Sequence, residues 1–262
     1  MKRLHLFEFE DQSWYPRFMR DAGTTYLQFI SRKLRLHEGM APVIGELMER
    51  CGCTTVVDLC SGGAGPVIDI AESLHKRIGG FRVVLTDKFP NLPAFEAAQA
   101  SHPEYIEFEA ASVDALHVPP ALTGVRTVFN GFHHFSPALA KRMLGNAVEA
   151  GQCIAIFELS ERRLVNILSF PLILLFVLLA IPFLRPFRWS WLLFTYLIPI
   201  IPLTIAWDGV VSHLRAYSTD ELHSLTSQYP ETYVWRIARS RGARIPFTVL
   251  TGMPKLSADV SR

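Results

Sequence analysis

The chain of 262 residues carries 26 Lys and Arg against 24 Asp and Glu, a formal net charge of +2, and so weak an imbalance makes nucleic acid an unexpected partner. Four cysteines (Cys51, Cys53, Cys60, Cys153) are too few for a disulfide scaffold and lack the paired spacing of a zinc site, so reduced thiols in a cytosolic compartment and no metal are expected. Half of the residues are hydrophobic, which is high for a soluble enzyme, and the excess sits largely between Ile167 and Ala206.

In chain order, residues 1–14 carry Glu8, Glu10 and Asp11 and have no apolar core, so no signal peptide is expected there. Residues 14–50 read as helices. Phe18, Tyr26, Phe29, Ile30 and Leu34 fall at near-helical spacing, and Val43, Ile44, Leu47 and Met48 continue the pattern after Pro42. Strands are expected at 54–59, 81–86, 105–109, 125–130 and 153–158, with helices between them at 67–77, 92–100 and 137–150. Such alternation predicts a parallel sheet with helices on both faces. After an apolar region come a helix near 219–228 and two strand-like runs, 233–238 and 247–250, joined through a loop that contains Gly242.

The run Val56-Val57-Asp58-Leu59-Cys60-Ser61-Gly62-Gly63-Ala64-Gly65-Pro66 reads as a strand, a glycine-rich turn and the start of a helix. That arrangement places backbone N–H groups and a helix N-terminus at the carboxyl end of a strand, where open α/β sheets bind nucleotide-like cofactors. Asp87 closes the second strand, placed to accept both ribose hydroxyl hydrogens of an adenosine. Asp114 follows the third strand, where a carboxylate accepts from an adenine amino group. A nicotinamide enzyme would prefer G-x-G-x-x-G, which this turn does not spell.

On these residues, on Asn130-Gly131-Phe132-His133-His134-Phe135 after the fourth strand and on the terminal hairpin, the chain resembles the class I S-adenosylmethionine-dependent methyltransferases. The resemblance covers about residues 50–160 and 208–254. The family's glycines stand two, four and six residues after the acid; here those positions are Cys60, Gly62 and Ala64, with Gly63 and Gly65 added. The resemblance implies a three-layer, Rossmann-like α/β fold of five parallel strands plus a C-terminal antiparallel hairpin. It also implies S-adenosyl-L-methionine held by Asp58, Cys60, Gly62, Gly63, Gly65, Asp87, Lys88, Asp114, Ala115 and Asn130.

Methyl transfer from a sulfonium is an in-line displacement, and a base is needed when the acceptor has a proton to lose. His133 and His134, at the end of the fourth strand, are the candidate bases, and Glu158, at the end of the fifth, is a second acid–base group. Asp208 and Arg215 are expected to pair and close the site, with His213 as a further base.

The apolar runs 167–184 and 189–206 flank Arg185-Pro186-Phe187-Arg188. Each is near the lower limit for a bilayer span, about 17 residues. Pro171, Pro182, Pro199 and Pro202 would kink any helices, while Trp189, Trp191, Tyr196 and Trp207 suit a headgroup zone. A two-pass hairpin would put Arg185 and Arg188 on the far side. A shallow re-entrant or interfacial hairpin lets them snorkel to lipid phosphates, and a hydrophobic lid or dimer surface is the bland alternative. The shallow hairpin is the expectation.

The domain plan is an N-terminal helical cap (1–50), a methyltransferase domain (51–162 and 207–254), a hydrophobic membrane-associating insertion (163–206) and a tail (255–262). The expected function is methyl transfer to a hydrophobic or lipid-like acceptor at the cytoplasmic face of the cell membrane. The alternative is a non-catalytic, membrane-anchored protein that keeps the sheet for cofactor sensing or partner docking.

Overall fold

Alternation along short strands decides the layers. Val56 and Val57 are neighbours on β1 (Thr55–Asp58), yet they join different apolar clusters on opposite faces of the sheet. On β5 (Ile154–Glu158), Ala155 and Phe157 face the first cluster and Ile154 and Ile156 the second. The structure, a computed structural model, describes residues 1–240 and 244–255. Gly242 of the expected hairpin loop, and the tail beyond 255, lie outside them.

The remaining strands are β2 (Arg82–Leu85), β3 (Ile106–Phe108), β4 (Val125–Phe129), β6 (Tyr233–Arg239) and β7 (Thr248–Pro254). They form one sheet in the order β3-β2-β1-β4-β5-β7-β6. The first five are parallel, and β7 runs antiparallel to both β5 and β6. The five parallel strands and closing hairpin are those expected, although β7 continues past the predicted end to Pro254. The strand order reverses direction between β1 and β4, so the crevice at their carboxyl ends is the topological switch point of the sheet.

One face of the sheet is covered by α2 (His37–Cys51), α3 (Gly65–His75) and α4 (Leu92–Ser101), whose Ile44, Ile70 and Phe95 are buried against Val56, Val83 and Leu85. The other is covered by α5 (Pro137–Glu149) and α10 (Thr219–Thr226), through Met143, Leu144, Leu222 and Leu225. Ser136 caps α5 ahead of Pro137, and Ser218 with Glu221 forms a capping box on α10.

The apolar insertion breaks into short pieces: α6 (Leu164–Ile167), α7 (Phe170–Ala180), a 3₁₀ turn (Ile181–Phe183), α8 (Trp189–Leu192), a π turn (Leu193–Leu197) and α9 (Ile200–Arg215). They pack on α1 (Arg17–Lys33). Tyr15, Met19, Ala22 and Tyr26 bury a third cluster with Val177, Ile181, Trp191 and Ile205. The Trp191 indole N–H donates to the Phe18 carbonyl at 2.9 Å. No single helix among the described residues is long and apolar enough to cross a membrane, so the expected transmembrane helix is not supported. The second apolar run bends by 80° between Trp189–Leu197 and Ile200–Arg215, at Ile198-Pro199, where proline cannot donate to a continuing helix.

The thiol expectation is also corrected. Cys51, at the end of α2, and Cys153, just before β5, form a disulfide that closes 102 residues of sequence, while Cys53 and Cys60 remain free thiols.

Candidate active site

At the end of β1 the chain turns inside the sheet edge. Cys60, Gly62 and Ala64 all hold left-handed backbone, with φ of 61°, 53° and 59°. Alternate left-handed residues curl the turn and aim N–H groups across the crevice, and two L residues adopt it here beside one glycine. Asp58 fastens the turn from within. Its carboxylate accepts from the Ser61 hydroxyl at 2.6 Å and from the Thr127 hydroxyl at 2.7 Å. Asp58 is 1% exposed, and burial pushes its carboxyl up to about 7. One of its oxygens is thus engaged by Ser61 of the turn and the other by Thr127 of β4, so this expected cofactor contact holds the turn to the sheet.

Asp87 stands at the tip of β2, half-buried. Its Oδ2 accepts from Gly62 N–H at 2.9 Å and its Oδ1 from Phe89 N–H at 2.8 Å. Burial raises its pKa, and these backbone donors oppose that rise. Lys88 next to it pairs with Asp114 Oδ2 at 3.0 Å, and Asp114 Oδ1 accepts from Leu116 N–H. Ala115 is buried behind that loop. Asn130, itself left-handed at φ 48°, accepts from Leu159 N–H and ties the ends of β4 and β5 together. Helix α1 leans on the turn. A Cβ built on Gly63 would lie 3.3 Å from Thr24, and one on Gly65 3.6 Å from Gln28.

After β4 a single 3₁₀ turn (Phe132–His134) presents the histidine pair. Glu158 accepts Phe132 N–H at 2.8 Å with one oxygen and lies 2.7 Å from His133 Nδ1 with the other. His133 is 1% exposed, and its Nε2 faces Glu8 at 3.9 Å. His134 lies 2.8 Å from Asp11 through Nδ1 and 3.6 Å from Glu8 through Nε2. Burial disfavours the imidazolium of His134, but the Asp11 hydrogen bond and the charges of Glu8, Asp11 and Glu10 outweigh it and raise its pKa to about 9. Asp11, despite its own burial, is held well below the carboxylate range by His134 and Arg215.

The expected Asp208–Arg215 pair does not form. The two residues stand about 10 Å apart along α9 at 1.5 Å per residue. Arg215 instead pairs with Asp11 at 2.6 Å and Glu8 at 3.3 Å. Asp208 accepts the backbone N–H groups of Phe9 and Glu10, and burial pushes its carboxyl up to about 7. The base role expected of His213 is corrected too. Its Nδ1 accepts from Glu161 N–H at 3.2 Å, and burial pushes its pKa down to about 4, so it is a neutral ring with that lone pair used.

Sequence reasoning missed the N-terminal strap. Residues Arg3, Glu8 and Asp11 cross the carboxyl edge, with Arg3 donating to the His133 and Phe135 carbonyls at 2.8 and 2.9 Å. Only the acids among aromatics at positions 8–11 hinted at it, and no local pattern connects them to residues more than 120 positions away.

No family model and no curated protein matches the sequence. Solved structures share the fold. An O-methyltransferase family 2 protein from Planctomyces limnophilus, solved with apigenin, superposes with TM-score 0.55 at 13% identity, over 92% of this chain and 63% of its own. An O-methyltransferase family protein from Burkholderia thailandensis gives 0.53 at 16% identity, over 91% and 60%. A plantazolicin methyltransferase, solved with a triazolic desmethylPZN analog and SAH, gives 0.52 at 9% identity, over 91% and 98%. The chain thus spans less than two thirds of the first two and nearly all of the third. The shared architecture is the Rossmann-like methyltransferase fold, with its seven-stranded mixed sheet.

Proposed function

We propose that this chain is an S-adenosylmethionine-dependent methyltransferase acting on a hydrophobic or lipid-like acceptor at a membrane surface. The observation that carries methyl transfer is one edge of the sheet holding both a left-handed turn closed on Asp87 and a buried histidine backed by Glu158.

The residues fit the cofactor. An ionised carboxylate has about four acceptor sites, and the two donors on Asp87 leave capacity for a ribose diol. Asp114, on the exposed loop beyond it, has a position suited to an adenine amino group. When bound, the cofactor supplies a methyl group on a sulfonium, open to in-line attack. His133 is the group assigned to the acceptor's proton. The hydrogen bond from its Nδ1 to Glu158 fixes the tautomer and leaves Nε2, on the side of Glu8, as the nitrogen that can accept a proton. His134, with its raised pKa and its bond to Asp11, holds positive charge and closes the strap. Helix α1 and the strap lie over the turn and the histidines, where they exclude water.

The apolar acceptor and the membrane surface are supported by α7. Its Leu172, Leu175, Phe176 and Leu179 are exposed at 3-1-3 spacing, one helical face, while Val177 and Ala180 on the other face are buried. A helix apolar on both faces wants a second apolar medium.

Calorimetry with S-adenosylmethionine and with its demethylated product tests the cofactor. Micromolar binding is expected, and no binding by folded protein overturns the reading. Incubation of membrane extracts with labelled cofactor and mass spectrometry of the product identify the acceptor. His133→Ala is expected to lose turnover and keep cofactor affinity; unchanged turnover would remove His133 from the chemistry.

A further inference from the structure

We infer that Glu8, His133 and His134 form a binding site for a divalent transition-metal ion of the borderline, zinc-like class, closed by the N-terminal strap. One ligand atom from each of the three lies within 4.8 Å of the others. The Glu8 oxygens are 3.9 Å from His133 Nε2 and 3.6 Å from His134 Nε2. Ligands bound at about 2.0–2.1 Å around one tetrahedral ion stand roughly 3–3.5 Å apart, so a small inward shift completes the site.

The surroundings match a metal centre as well as the three ligands do. Each histidine has its Nδ1 2.7–2.8 Å from a separate carboxylate, Glu158 for His133 and Asp11 for His134. A carboxylate behind each ring is the usual outer sphere of a metal-bound histidine; for His133 it leaves Nε2 as the free nitrogen, while an ion at His134 would displace the proton that ring holds. Glu8 and His133 have side chains only 2% and 1% exposed, so the donors are already desolvated. Two nitrogens and one carboxylate oxygen suit zinc, iron(II) or cobalt(II) over magnesium or calcium.

Three protein ligands leave open positions for an acceptor heteroatom, whose pKa the ion would lower as a Lewis acid. Occupation would thereby turn His133 from base into ligand, which deepens the methyl-transfer reading above. The site itself is read from side chains alone and does not depend on that reading.

The test is titration of cobalt(II) into chelator-treated full-length protein, followed by visible absorption. Saturable, stoichiometric binding is expected. Glu8→Gln, which keeps side-chain volume, and His134→Ala, which trims a partly exposed ring, should each weaken it more than about tenfold, and Asp11→Asn by about 10–100-fold. Circular dichroism checks that each variant is folded; should Glu8→Gln or His134→Ala unfold, Asp11→Asn on folded protein decides. Absence of saturable binding by folded wild type, or equal affinity in the folded variants, overturns the site. Cofactor affinity measured on the same samples separates the two readings. Cobalt binding lost with S-adenosylmethionine binding kept sinks only the metal site, and the reverse sinks only methyl transfer.

Discussion

Gly62 N–H donates to Asp87 Oδ2 at 2.9 Å, so the glycine turn after β1 and the tip of β2 are one hydrogen-bonded unit. A cofactor held by Asp87 is therefore held against the turn. Asp87→Asn removes the charge that makes ribose hydrogen bonds strong and keeps one of the two acceptors that the backbone N–H groups of Gly62 and Phe89 use. Hydrogen bonds to a charged group contribute about 1.5–3 kcal/mol, so S-adenosylmethionine affinity is expected to fall about 10–100-fold by calorimetry. Unchanged affinity would place the ribose elsewhere.

The left-handed turn makes a second prediction. Gly62 has φ of 53° and open space around a built Cβ, so Gly62→Ala should cost only the backbone term, about 1 kcal/mol in urea unfolding. Cys60 already bears that strain at φ 61°, and Cys60→Gly should recover a similar amount, less its partial burial. Opposite signs for the two substitutions are the check.

Asp58 predicts a pH dependence. Its carboxyl is pushed up by burial from 3.8 to about 7, so the native state holds its proton more tightly than the unfolded chain does. Below about pH 4 both states are protonated and the group contributes nothing. Between about pH 4 and 7 the unfolded chain releases the proton first, so stability falls as pH rises and levels off above that window. Asp58→Asn should remove this slope. The difference in unfolding free energy between variant and wild type should move in favour of the variant from pH 4 to 7, and a flat difference would refute the shift.

What the sequence revealed was what is local. The acid, the turn and Asp87 lie within 30 residues at successive strand ends, and the parallel sheet follows from strands that alternate with helices along the chain. The charge cluster was not legible, because Glu8 and Asp11 reach His133, His134 and Arg215 across more than 120 residues of chain. The expected Asp208–Arg215 pair failed on helix geometry: seven residues put both near one face but two turns apart. Pro199 broke the second apolar run, which the proline count foreshadowed, but the bend angle depends on packing against α1.

The thiols are countable. With Cys51 and Cys153 joined, thiol titration of denatured, unreduced protein should find the two free groups of Cys53 and Cys60, and four after reduction. Closing a loop of 102 residues restricts the unfolded chain, so Cys153→Ser should lose about 2–4 kcal/mol in denaturant. Four thiols before reduction would restore the reduced reading of the sequence.

The exposed face of α7 predicts how the protein meets lipid. Leu172, Leu175 and Leu179 are each about half exposed, and Val177 on the opposite side is fully buried, so the outer face can change without touching the core. Arg188 pairs with Asp21 at 3.1 Å, which leaves Arg185 as the freer charge at this tip. Binding to vesicles should therefore follow apolar area, with little dependence on salt or anionic lipid. Replacing the three leucines by serine removes roughly 1 kcal/mol each at about 25 cal/mol per Å² of half-exposed side chain. Flotation with phosphatidylcholine vesicles should then show a partition coefficient lower by about 100-fold, with unchanged circular dichroism. Equal flotation of the triple variant, or wild-type protein that stays off vesicles as a stable dimer in sizing, would assign this face to a protein contact instead.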